Sequence, residues 1–91
     1  MGTIGVKIKI MPISPDIDLE GIKNEARKTI ENKEGKNIQF NEEPIAFGLK
    51  AIIATFALDE EEGDVEGIND NLSKLKNVNS SQITDMRRAF G

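Results

Sequence analysis

The chain of 91 residues contains no cysteine and no histidine. Without cysteine there is no disulfide, no thiolate nucleophile and no zinc–thiolate cluster. That composition fits a reducing compartment. Without histidine, the commonest general base and the commonest transition-metal ligand are missing. Chemistry by Asp, Glu or Lys stays open, but the usual catalytic sets are excluded. No apolar run approaches the roughly 20 residues that span a bilayer. The N-terminus shows no charged leader followed by a long apolar stretch. A soluble cytoplasmic protein with no membrane partner is expected. Positive charge is also short. Twelve Lys and Arg face 16 Asp and Glu, a net charge of −4 with a pI near 4.8. An acidic balance argues against a protein whose main task is to hold phosphate backbones, so no direct nucleic-acid partner is expected.

What is present suffices for one modest core. The apolar fraction is 37%. A chain of this length is expected to form one domain over residues 1–91, burying only about 60–65% of its unfolded surface.

The first segment alternates from Thr3 to Met11. Ile4, Val6, Ile8 and Ile10 point one way, with Gly5, Lys7 and Lys9 the other way, the pattern of a half-buried strand. Met11-Pro12-Ile13-Ser14-Pro15-Asp16 carries two prolines and reads as a loop. Leu19, Ile22, Ala26 and Ile30 then recur at helical spacing, predicting an amphipathic helix from about Asp18 to Glu31. Gly35 falls near its C-terminus. Ile38 to Glu43 is a short strand, and Pro44 near its end assigns it to a sheet edge. Phe47 to Leu58 reads as the longest strand, central because both parities are apolar after Ala51. Val65, Ile68, Leu72 and Leu75 mark a second helix from about Asp64 to Lys74, and Val78 to Phe90 a final strand.

The order β-α-β-β-α-β predicts an α+β fold, a ferredoxin-like sandwich. It has a four-stranded antiparallel sheet with two helices on one face. Strands one and three lie centrally, and Lys7, Lys9 and Lys50 are placed on the open face.

The stretch Glu43-Pro44-Ile45-Ala46-Phe47-Gly48-Leu49 joins a polar segment to the most apolar run, Ile52 to Leu58. Gly48 permits a close approach of another backbone or a ligand. Phe47 sits where the chain turns, as a core plug or a displayed contact. Between Asp59 and Asp64 five carboxylates stand close together. Hard cations favour oxygen ligands, but the spacing is not that of an EF-hand loop. A solvated loop is expected, with no metal and no cofactor. In Thr84-Asp85-Met86-Arg87-Arg88, adjacent arginines on a strand project to opposite faces. One is expected to pair with Asp85 or another carboxylate, and the other to stand free for a carboxylate or phosphate on a partner. A frayed polar tail is the other reading.

Several activities of this architecture find no support. RNA-binding members stack bases on aromatic residues of the central strands, and the first strand offers none. Acylphosphatase needs an Arg in the loop after strand one, and this loop has neither Arg nor Lys. A small-molecule-sensing regulatory domain remains as an alternative.

The stretches Met11-Pro12, Ser14-Pro15-Asp16, Glu43 to Leu49 and Thr84 to Arg88 together resemble the archaeal elongation factor 1-beta family. That family matches the exchange domain of the eukaryotic beta subunit. The likeness extends over essentially the whole chain, and Pro-Ile-Ala-Phe-Gly is its most specific part. It implies a ferredoxin-like sandwich, no catalysed covalent change, and guanine-nucleotide exchange on elongation factor 1-alpha, the GTPase that delivers aminoacyl-tRNA. By position, Phe47 resembles the family's exposed aromatic that enters a pocket on the GTPase, with Gly48 allowing close approach. The family's C-terminal segment reaches toward the partner's Mg²⁺ site. Thr84, Asp85 and Met86 match its motif. Eukaryotic relatives place a lysine near the very end. This chain has Ala89, Phe90 and Gly91 there, which leaves Arg87 or Arg88 to supply the charge.

Overall fold

The computed structural model describes residues 2–61 and 63–89. Its elements are β1 (Thr3–Pro12), α1 (Leu19–Asn32), β2 (Lys36–Pro44), β3 (Lys50–Asp59), α2 (Val65–Ser73) and β4 (Val78–Ala89). All strand pairs are antiparallel, in the order β2-β3-β1-β4. The fold is the ferredoxin-like α+β sandwich that the element order predicts.

Strand parity decides which side is core. Val6, Ile8 and Ile10 of β1 are buried with Ile52, Ala54, Phe56 and Leu58 of β3. Ile22, Ala26 and Ile30 of α1 and Val65, Ile68 and Leu72 of α2 join the same cluster, so both helices cover one face. Each helix starts on an aspartate. Asp18 accepts from the Glu20 N–H at 3.0 Å and Asp64 from the Gly67 N–H at 3.0 Å, satisfying donors that the first turn leaves unpaired. No helix among the described residues is long and apolar enough to cross a membrane.

The end of α1 differs from expectation in its details. Glu34, with φ 65°, takes the left-handed conformation there, and Gly35 does not. Gly35 is required for another reason: a side chain on it would run into Ile30.

Several strand boundaries move. β1 continues through Pro12, which comes level with Val78 after an irregularity at Met11/Pro12. A proline is tolerated at a strand's last residue, next to such a break. β2 begins at Lys36, with a register shift before Gln39. β3 begins at Lys50 instead of Phe47, because Phe47 and Gly48 both have positive φ and cannot extend a strand. β4, with 12 residues, is therefore the longest strand described. Lys50 alternates with Ile52 and lies on the helix side near Glu42, so it does not share the open face with Lys7 and Lys9. The acidic loop uses its own carboxylates: Asp59 accepts from the Glu61 N–H at 2.9 Å and Asp64 caps α2. Glu62 and Phe90 lie outside the described residues.

Candidate partner-binding site

The ladder between β2 and β3 runs on past the last β1–β3 pair. β1 pairs with β3 only as far as Ile10↔Ile52, whereas β2 follows β3 on through Glu43↔Ala51 and Pro44↔Lys50. Pro44 ends the edge strand, where its missing N–H does no harm. The loop closes through the Ile45 N–H donating to Leu49 O at 2.8 Å and the Leu49 N–H donating to Ala46 O at 3.1 Å. Between Ala46 and Leu49 the two central residues are Phe47, φ 60°, and Gly48, φ 79°. Two positive φ values in succession are the mark of a type I′ turn, which normally takes Asn, Asp or Gly.

Phe47 thus combines two unfavourable features. Its backbone lies in the left-handed region that bulky residues avoid, at a penalty of roughly 1–2 kcal/mol. Its side chain is 94% exposed. Of the other phenylalanines described, Phe56 is in the core and Phe40 packs against it. The strained turn thus holds the ring out in solvent, apart from the core that takes Phe40 and Phe56.

Two more exposed apolar residues stand at this end of the sheet. Ile45, in the same loop, is 37% exposed, and Ile13, in the β1–α1 loop, is 57% exposed. The β1–α1 loop spans this end of the molecule. The Ile13 N–H donates to Asn77 O at 3.0 Å on one side, and on the other a methyl group added at Gly48 would lie 3.7 Å from Pro15 Cβ. A groove of about 330 Å³ runs beside the turn, lined by Pro12, Pro15, Leu19, Gly48 and Lys50 among others. Ile13 and Pro15 escape a sequence reading, since exposure of an isolated apolar loop residue has no periodic signal.

The root of the hairpin is tied to α1. Lys23 Nζ lies 2.8 Å from Glu42 Oε2 and 3.1 Å from Glu20 Oε2, and Lys50 Nζ lies 4.0 Å from Glu42 Oε1. The hydrogen bond that Lys23 donates to Glu42, supported by the one it donates to Glu20, raises the Lys23 pKa. The same Lys23–Glu42 bond lowers that of Glu42.

Asp85, Arg87 and Arg88 lie elsewhere. Arg87 is level with Gly5 of β1, and Gly5 with Ala57 of β3, seven residues from Lys50. At about 3.3 Å per residue, that places Arg87 some 23 Å from the root of the Phe47 hairpin. The two arginines do project to opposite faces. Arg87 Nε meets Asp85 Oδ2 at 3.0 Å on the open face, and Arg88 Nη2 meets Glu60 Oε1 at 2.6 Å on the other. The expectation that one arginine stands free is corrected: each has a carboxylate partner. Both side chains are nonetheless largely exposed, at 83% and 66%. A β-bulge precedes them at Lys7/Ile8, where Thr84 Oγ1 donates to Lys7 O at 3.2 Å.

The sequence model of a protein family, described as the EF-1 guanine nucleotide exchange domain, matches residues 5–89. The chain belongs to this family. It is 40% identical over 89 residues to elongation factor 1-beta of Methanothermobacter thermautotrophicus, covering 97% of this chain and 98% of the relative. It is 41% identical over 88 residues to elongation factor 1-beta of Methanobrevibacter smithii, with 97% and 98% covered. With elongation factor 1-beta of Methanococcus maripaludis it shares 33% over 86 residues, with 94% and 97% covered. As a guanine-nucleotide exchange domain, the chain has no need of the histidine and cysteine it lacks. Exchange is binding work, in which no covalent bond is made or broken.

Proposed function

We propose that residues 1–91 act as one exchange domain on elongation factor 1-alpha, in the cytoplasm, and that Phe47 is its principal contact. The observation that carries the assignment is the ring of Phe47, 94% exposed on a strained turn. Seating such a ring in an apolar pocket is worth about 1.5–3 kcal/mol, or roughly 10- to 150-fold in binding. Ile45 in the same loop, and Ile13 at the same end of the sheet, add exposed apolar surface. Gly48 keeps the backbone beside the ring bare, so that the partner's surface can close on the turn.

The mechanism is differential affinity. A factor that binds the nucleotide-free GTPase more tightly than the GDP form weakens GDP binding by the same factor. Asp85, Arg87 and Arg88 form a second contact region. Their cations suit the carboxylates and phosphates of a nucleotide site. The family favours this over a small-molecule-sensing role. The test is release of a fluorescent GDP from elongation factor 1-alpha, which this protein accelerates in proportion to its concentration until saturation. No acceleration at any concentration would overturn the assignment.

A further inference from the structure

The functional assignment leaves open what aims the Phe47 turn. Past Ile10↔Ile52, the β2–β3 hairpin makes no further pair with β1, which runs on to Pro12 paired with β4 alone. A two-stranded ribbon is marginal alone and twists more than a full sheet. The direction in which Phe47 points must therefore be fixed from outside the ribbon. Three outside contacts are present. One is the approach of Pro15 to Gly48 at the tip. Another is the pair of Lys9 with Glu43 on the open face, at 3.8 Å. The shortest is the junction of Lys23 with Glu42 at the root, at 2.8 Å.

Lys23 is suited to this role. Its neighbour Ile22 is buried, so the helix that carries it is anchored to the core. Its side chain is only 18% exposed, less than that of any other cation in an ion pair among the described residues. Glu20, one turn earlier, holds the ammonium from the helix side at 3.1 Å, and Glu42 receives it from the strand. Glu42 in turn reaches Lys50, across the hairpin, at 4.0 Å. The chain Glu20–Lys23–Glu42–Lys50 links the helix to both strands of the ribbon just below the tip. Exposed ion pairs rarely stabilise a fold measurably. At the foot of a lever such a link acts instead on direction.

We propose that Lys23 is a positioning residue for exchange: through Glu42 it holds the β2–β3 hairpin in the orientation that presents Phe47. The proposal rests on Phe47 being the principal contact. Lys23 itself touches no nucleotide and no reacting group.

The experiment is a double-mutant cycle in GDP release, with Lys23→Met, Phe47→Ala and the pair, alongside Lys23→Arg and Glu42→Gln. Lys23→Met keeps the aliphatic stem, and its thermal unfolding midpoint is measured to confirm folding. Lys23→Met is expected to raise the factor concentration for half-maximal exchange by about fivefold, the scale of one well-placed ion pair. The same substitution is expected to change nothing further in the Phe47→Ala background. Glu42→Gln is expected to match Lys23→Met, and Lys23→Arg to restore exchange. Equal losses from Lys23→Met with and without Phe47 would overturn the proposal, since Lys23 would then act independently of the ring. So would unchanged exchange in Lys23→Met. Failure of Phe47→Ala itself to slow exchange would strike the functional assignment instead, and is read from the single variant.

Discussion

Phe47 and Arg87 occupy opposite ends of the sheet. The hairpin bearing Phe47 projects past Ile10↔Ile52, while Arg87 is level with Gly5 near the start of β1. Sites this far apart, with no side-chain contact linking them, act additively in free energy to within about 0.5 kcal/mol. The fold-losses in exchange from Phe47→Ala and from Arg87→Ala with Arg88→Ala are therefore expected to multiply when combined. Exchange efficiencies of the single and combined variants check this. A combined loss no greater than that of Phe47→Ala alone would show that the β4 end makes no separate contact.

Phe47→Asn separates stability from function. Asparagine tolerates the left-handed conformation that Phe47 adopts at φ 60°, and removing an exposed ring loses no core packing. The variant is expected to be more stable by about 0.5–1 kcal/mol. That corresponds to a rise of roughly 2–8 °C in the unfolding midpoint for a domain of this size. Exchange is expected to fall at least tenfold. A drop in the midpoint would mean that the ring packs against its own protein.

Gly48→Ala acts in the other direction. At φ 79° a Cβ is strained even though nothing but Pro15 stands near. The expected loss is about 1 kcal/mol, read as a midpoint lower by roughly 4–8 °C. Gly48→Asn is expected to lose less, because asparagine enters this region more readily. Equal losses for the two would place the defect in the contact with Pro15 and not in the backbone.

Lys23 and Glu42 give the hairpin a pH dependence of defined sign. Glu42 is held below its ordinary value of 4.5 by the Lys23 hydrogen bond. Its contribution is complete above 4.5 and is lost as pH falls through the lowered value. Lys23 is raised above its ordinary 10.5 by Glu42 and Glu20. Its contribution is complete below 10.5 and is lost as pH rises through the raised value. Between these limits the link is fully formed. Side-chain NMR titration of Glu42 is expected to give a midpoint below 4.5 that returns toward it in Lys23→Met. The same midpoint in both proteins would mean that the pair is not formed in solution.

Local patterns made most of the fold legible. Val6, Ile8 and Ile10 alternate, Ile22, Ala26 and Ile30 recur at helical spacing, and each periodicity reports a neighbouring surface directly. The apolar run after Phe47 extends the strand pattern back over it, although Pro44 and Gly48 both mark a turn there. The face of Lys50 is not legible in the sequence, because a strand of unknown register has no fixed parity. The Lys23–Glu42 contact joins residues 19 apart in sequence, and nothing local encodes it. Arg87 and Arg88 showed their opposed directions through strand parity alone. Their carboxylate partners differ in kind: Asp85 is two residues away, whereas Glu60 reaches Arg88 only through the fold.

The most direct test of the role of Phe47 is the dissociation rate of a fluorescent GDP from elongation factor 1-alpha. It is measured with saturating intact protein and with Phe47→Ala shown to be folded. The expected result is strong acceleration by the intact protein and at least a tenfold smaller effect from the variant at equal concentration, in line with the binding value of one buried ring. Equal acceleration by both proteins would contradict the assignment of Phe47 as the principal contact.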